Sequence, residues 1–281
     1  MRGRALGVVV VVALLMTGDA RGWGFSAHRI VTETAVERMP PDVASFFKGS
    51  ARRLSDLSLE PDTILKARDE EEGRRHYINL DALAPHPFDA IPREYGEAQA
   101  AFGEERVRRG GTLPWRIGNV VKDLTAAMRR KNAPEILKQA GYLSHYASEA
   151  FEPFHLTKNH DGQETCNLGI HDAFESEMIE RFPAAFRENV RRGRAAVTGV
   201  ERPVHQVFAW MREAYPLVQR VLDADSSALK ALKTEGRDYF EELNRLAGPI
   251  AERQLSMAAN ATASLWYTAW VDAGKPALPA P

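Results

Sequence analysis

The chain of 281 residues is 44% hydrophobic and 27% charged, which excludes an extended disordered polymer and leaves ample apolar material for a core. Its formal charge of −1 excludes a net positive field that would draw nucleic acid over the whole surface. The single cysteine, Cys166, excludes an intramolecular disulfide, so stability must come from packing and from whatever the polar side chains bind.

Residues 1–22 differ from the rest. Arg2 and Arg4 precede an apolar run from Leu6 to Met16, and the small residues Ala20 and Gly22 flank Arg21, which is the layout of a signal peptide. The run is too short to span a bilayer comfortably. The expectation is therefore cleavage after Gly22, a mature chain that begins at Trp23, and a secreted or periplasmic destination. Loss of three Arg and one Asp leaves 34 basic against 37 acidic residues, a formal charge of −3.

Helical periodicity dominates the remainder of the chain, and strand-like alternation is scarce. Residues 26–39 place Ile30, Ala35 and Val36 near one face, with Ser26 as a cap and Pro40 and Pro41 as a stop. Further helices are predicted over 114–131, 133–151, 171–193 and 203–224. The last periodic stretch, 226–272, reads as one long helix or as two broken at Gly248-Pro249. Loops are predicted at 54–64, 81–94, 108–113 and 157–169. Arg52-Arg53, Arg74-Arg75 and Arg129-Arg130-Lys131 read as solvated faces more readily than as phosphate sites. There is no internal repeat and no heptad seam. The expected fold is all-α, a single multi-helix domain over 23–281 with a metal cluster at the base of a cleft, its helices ending before the Ala/Pro tail at 276–281.

Of the eight histidines, two that lie on predicted helices carry an acid four residues on. In HYASEAFEPFH, His145 and Glu149 share one helix face, and His155 comes ten residues after His145. In HDAFE, His171 and Glu175 repeat the spacing. Imidazole nitrogen and carboxylate oxygen are both good zinc ligands, and the four-residue step aims two donors at one point. One such pair is weak evidence, since an acid often falls four positions after a His and forms only a surface ion pair. Two pairs joined by a further His and a Gly-containing loop point to metal. Asp62 in EPDT and His76 in HYINLD lie on a separate region and, taken alone, read as loop residues bonded to backbone.

These segments also resemble a family. WGFSAHRIV, PDT, HYINLD, HYASEAFEPFH and GIHDAFE occur in the order found in the zinc-dependent phospholipase C / S1-P1 nuclease superfamily, over residues 23 to about 180. The resemblance implies that Trp23, as first residue, ligates zinc through its amino group and carbonyl oxygen together with His28. It implies a second zinc on Asp62, His76 and His145, with Glu149 bridging the two, and a third on His155, His171 and Glu175, up to three zinc ions in all. Glu149 stands where the family usually has Asp. Asp62 is also the implied catalytic base, orienting a water for attack on phosphorus. His86, His160 and His205 match no ligand position. Trp115 and Tyr77 are core aromatics or pocket lining.

The function implied is an exported, zinc-dependent phosphodiester hydrolase. The substrate is a phosphoester, either a phospholipid, with transient contact to a membrane surface, or single-stranded nucleic acid; no obligate protein partner is implied. Glu175 as final ligand, and the single cysteine, lean toward the phospholipase side. The alternatives are an S1/P1-type nuclease and a non-catalytic protein whose zinc holds the fold. The chain has no HExxH, which argues against a peptidase.

Overall fold

A computed structural model describes residues 23–193 and 195–279. In chain order the helices are α1 (Phe25–Arg38), α2 (Pro41–Gly49), α3 (Ala51–Leu57), α4 (Leu80–Leu83), α5 (Tyr95–Phe102), α6 (Glu104–Gly110), α7 (Leu113–Arg129), α8 (Ala133–Glu149), α9 (Ile170–Asp172), α10 (Met178–Arg181), α11 (Pro183–Arg192), α12 (Pro203–Ala214), α13 (Leu217–Glu235) and α14 (Tyr239–Asp272). Two π-turns, Pro61–Leu65 and Ala173–Glu177, and two 3₁₀ turns, Glu72–Arg75 and Pro153–Leu156, lie between them. No strand occurs among the described residues, and the expected all-helical single domain is what is found. Among the described residues no helix is long and apolar enough to cross a membrane. Residues 1–22, the expected signal peptide, lie outside the described residues.

The 34-residue α14 is the axis of the fold and packs against α1, α7, α8 and α13. Alanines along it (Ala247, Ala251, Ala258, Ala259, Ala263, Ala269) let neighbouring helices approach closely, and Trp266 is wholly buried, stacked on Phe47 at 4.8 Å with its Nε1 donating to the Ala140 carbonyl. α7 and α8 form a hairpin closed by Lys131, at φ 53°, and by Asn132, whose side chain accepts from the Glu135 N–H.

Several predicted boundaries are corrected. The loop expected at 54–64 contains the end of α3 and the π-turn that carries Asp62, the one at 81–94 opens inside α4, and the one at 108–113 contains the end of α6. The helix expected at 171–193 is interrupted by the π-turn and again at Phe182-Pro183, where proline pushes its predecessor out of the helical region (φ −125°, ψ 40°). The one expected at 203–224 breaks at Tyr215-Pro216. Beyond it, the predicted start at 226 falls inside α13, which ends at Gly236, in the left-handed region at φ 69°. Pro249, expected as a possible break, sits inside α14. An interior proline costs about 3 kcal/mol; Pro249 is itself exposed, and the buried residues on either side of it, Ala247, Gly248, Ile250 and Ala251, hold the helix across it. Ser26 does not cap α1; Gly24 holds that place, and Ser26 bonds Glu180.

Candidate metal centre

The site gathers at the C-terminal end of α8. His145 and Glu149 project from its last turns, where α1 brings His28 and the first π-turn brings Asp62. His76 comes directly after the first 3₁₀ turn, and His155 lies in the second. His171 lies in α9 and Glu175 in the second π-turn, so both π-turns carry a carboxylate of the site. His28, His76, His145, Glu149, His155 and Glu175 are at most 1% exposed, and His171 is 6% exposed. Asp62 is the most open of the set, its side chain 10% exposed.

Two groups of donor atoms could each hold a metal ion: His28, Asp62, His145 and Glu149, and His155, His171 and Glu175, with the donors of each group within 4.8 Å of one another. Glu149 stands between them. Its Oε1 lies 3.2 Å from His28 Nε2 and 3.4 Å from His145 Nε2, while its Oε2 lies 3.1 Å from His155 Nδ1 and 3.3 Å from the Trp23 backbone nitrogen. His76 Nε2 reaches Asp62 Oδ1 at 3.4 Å, and its ring meets His145 edge-on. In the second group, His171 Nε2 is 3.0 Å and His155 Nε2 3.9 Å from Glu175 Oε2. All nine sequence-predicted residues are thus brought to one place.

The hydrogen bonds around the first group determine which ring nitrogens are bare. His145 Nδ1 donates to the Ser58 carbonyl at 2.9 Å, and His76 Nδ1 to the Glu72 carbonyl at 2.8 Å. Ser148 gives its own proton to the His145 carbonyl, so its Oγ accepts from His28 Nδ1 at 3.0 Å. With each Nδ1–H spent, the three Nε2 atoms are lone pairs, and none has a hydrogen-bond partner. Of thirteen buried, unpartnered side-chain atoms among the described residues, eight belong to this cluster. Buried polar groups are normally paired, so convergent orphan acceptors fit a cation, and the mix of imidazole and carboxylate suits zinc or a similar transition ion.

Charge agrees with the same geometry. Burial would raise the Asp62 carboxyl, but His145, His76 and Lys66 at 2.6 Å outweigh it and hold it well below the usual carboxylate range. Burial, reinforced by His28, holds His145 neutral, and burial lowers His171 to about 4. Glu149 stays ionised despite burial because His155 and His28 face it. His155 is the opposite case: burial would lower it, but Glu149 and Glu175 raise it to about 9. Burial pushes Glu175 well above its ordinary value.

Sequence reasoning missed Glu152. Its side chain is wholly buried, burial raises its carboxyl to about 7, and it lies 4.0 Å from His171 Nε2. It sits three residues before His155 and has no four-residue partner, so no spacing signal marked it. His86 and His160 are exposed and His205 pairs with Arg202, and none of the three is in either donor group. Trp115 is core, packed on Tyr95 and Phe208 with Nε1 donating to the Arg93 carbonyl. Tyr77 donates to the Arg109 carbonyl. Compared with known proteins, the chain matches no family model and no curated protein.

Proposed function

We propose that this protein is an exported, zinc-dependent phosphodiester hydrolase, phospholipase C-like in substrate, with its active site at the His28, Asp62, His145 and Glu149 group. The observation that carries the reading is the convergence of bare imidazole nitrogens and ionised carboxylates on one point, with the carboxylate of Asp62 on the side nearest solvent. His76 joins this group through Asp62, and the Trp23 nitrogen beside Glu149 supports a role for a free mature N-terminus as donor with His28. The His155, His171 and Glu175 group would hold a further ion, up to three zinc ions in all.

Zinc bound there supplies Lewis acidity toward a phosphate oxygen and toward an attacking water. The chain's own residues do the rest. The Ser58 and Glu72 carbonyls and Ser148 fix three imidazole rings so that binding needs no tautomer change. Asp62, kept ionised by Lys66, accepts a hydrogen bond from a water and aligns it for attack. Burial of the remaining carboxylates keeps bulk water from screening the charge that develops on phosphorus.

The lipid side is supported by Glu175 as final donor and by two exposed apolar side chains in the segments that carry ligands: Phe25 (52% exposed), between Trp23 and His28, and Leu168 (77% exposed), three residues before His171. Such side chains suit transient contact with a membrane surface. The test is zinc content of the chain beginning at Trp23 by elemental analysis, with the same sample assayed on phosphatidylcholine and on single-stranded DNA. Two or three zinc ions with hydrolysis of the lipid is the expected result. Hydrolysis of DNA alone moves the reading to the nuclease branch, zinc with neither activity favours a structural metal, and no zinc removes the proposal.

A further inference from the structure

Glu152 precedes the 3₁₀ turn Pro153–Leu156 and caps it: its Oε2 accepts from the His155 N–H at 3.0 Å. Its Oε1 has no partner although the side chain is wholly buried. Among the described residues its one ion-pair contact is His171 Nε2, 4.0 Å from Oε2, and that nitrogen has no hydrogen-bond partner either.

Capping does not explain the charge. A cap needs one neutral acceptor, which Asn or Gln supplies without the cost of burying a carboxylate. A hydrogen bond between Glu152 and His171 does not explain it, because 4.0 Å is well beyond the roughly 2.7–3.2 Å that such a bond takes. The bare His171 Nε2 faces this carboxylate at 4.0 Å from its capping Oε2, and the other oxygen, Oε1, is buried without a partner; a cation taken by Nε2 and Oε1 satisfies both, since zinc lies about 2.0–2.2 Å from imidazole nitrogen or carboxylate oxygen. Charge balance agrees: a divalent ion on two imidazoles and the two carboxylates of Glu152 and Glu175 is neutral, as a buried site favours.

We propose that Glu152 is the fourth protein donor of the His155, His171 and Glu175 group. This rests on the cluster being a metal centre. Glu152 stands outside the 4.8 Å set formed by the other three donors, so its carboxylate must move inward when an ion binds. Four protein donors close a zinc site, whereas a catalytic ion keeps a position for substrate. The ion held here therefore ties α9 to the turn after α8, and substrate chemistry belongs to the group that contains Asp62.

The experiment is zinc titration of chelator-stripped protein beginning at Trp23, against a chromophoric competitor, for wild type, Glu152→Gln, Glu152→Asp and Glu175→Gln. Glu152→Gln keeps the cap acceptor and is expected to lose at least tenfold in affinity for one ion, the same ion that Glu175→Gln loses, while the other binding is unchanged. Glu152→Asp, which keeps the charge, is expected to recover part of that loss. If Glu152→Gln binds like wild type while Glu175→Gln loses an ion, Glu152 is a cap alone and the proposal is overturned with the metal centre intact. Equal affinities for Glu152→Asp and Glu152→Gln overturn it as well. If wild type itself takes up no zinc, the metal centre fails and this proposal with it.

Discussion

His155 differs from the other imidazoles of the cluster in what holds it. His28, His76 and His145 each spend Nδ1 on a serine oxygen or a backbone carbonyl, whereas His155 has carboxylates on both sides, Glu149 at 3.1 Å and Glu175 at 3.9 Å. With protein groups alone, its proton is retained up to about pH 9, and burial pushes the Glu175 carboxyl well above its usual range. A histidine with a folded value above its unfolded value near 6.5 contributes stability fully below that value and loses it as pH rises through about 9. A metal needs the ring neutral and the carboxyl ionised. Zinc uptake at pH 7 is therefore expected to release at least one proton per chain, with less released above pH 9; calorimetry in two buffers of different ionisation enthalpy measures it, and uptake without release would count against His155 and Glu175 as donors. Ser148 offers a second test, because its Oγ orients His28 without facing the ion. Ser148→Ala is expected to weaken binding at the first group by roughly 10–100-fold, read by the same competitive titration; unchanged affinity would show that Glu149 alone positions the ring.

Among the elements, the close approach of α3 to α8 sets the geometry of His145. Gly141 on α8 faces Leu57 on α3, and a Cβ placed there would stand 2.5 Å from the Leu57 Cβ and 3.1 Å from its carbonyl carbon. That proximity brings the Ser58 carbonyl, the next one along, to His145 Nδ1 one turn later on α8. Gly141→Ala must push the helices apart, at about 1–3 kcal/mol, or a fall of roughly 2–4 °C in Tm for each kcal/mol in a chain of this size. Thermal unfolding with and without zinc checks it. The loss should be larger with zinc, since the metal site loosens too, and an unchanged Tm would mean that α3 moves freely. The two π-turns have a related role. Each inserts an extra residue just where Asp62 or Glu175 must turn inward, which a regular helix would not allow at those positions. Periodicity located α1, α7 and α8 to within a few residues because their apolar faces are regular. It ran α12 into α13 because Pro216, at the junction, interrupts no hydrophobic spacing, and it missed α2, α5 and α6 because seven to nine residues carry too few apolar positions to show a period.

Taken whole, the molecule encloses Asp62, Glu149, Glu152 and Glu175 together with five imidazoles at 10% exposure or less, in a fold with no disulfide. Buried carboxylates on this scale oppose folding unless cations offset them. An ion that binds only the folded chain stabilises it by about 2.7 kcal/mol at a hundred times its Kd, which for this size corresponds to roughly 5–10 °C. Chelation should therefore lower Tm by that much for each ion removed, and zinc should restore it, by scanning calorimetry. A Tm indifferent to chelator would argue that the cluster is held by protein contacts alone.

Local spacing was sufficient for the helical class, for the pairs His145/Glu149 and His171/Glu175, and for the absence of any disulfide, because a 3.6-residue period and a residue count are properties of neighbours along the chain. Spacing could not tell that the two pairs belong to different groups joined through Glu149, that Asp62 and His76 close on His145, or that a lone Glu152 faces His171. Those contacts come from helices far apart in sequence meeting at the end of α8, and no local period encodes which buried faces meet. The same holds for Pro249, whose local preference to break a helix is overridden by the packing that surrounds α14.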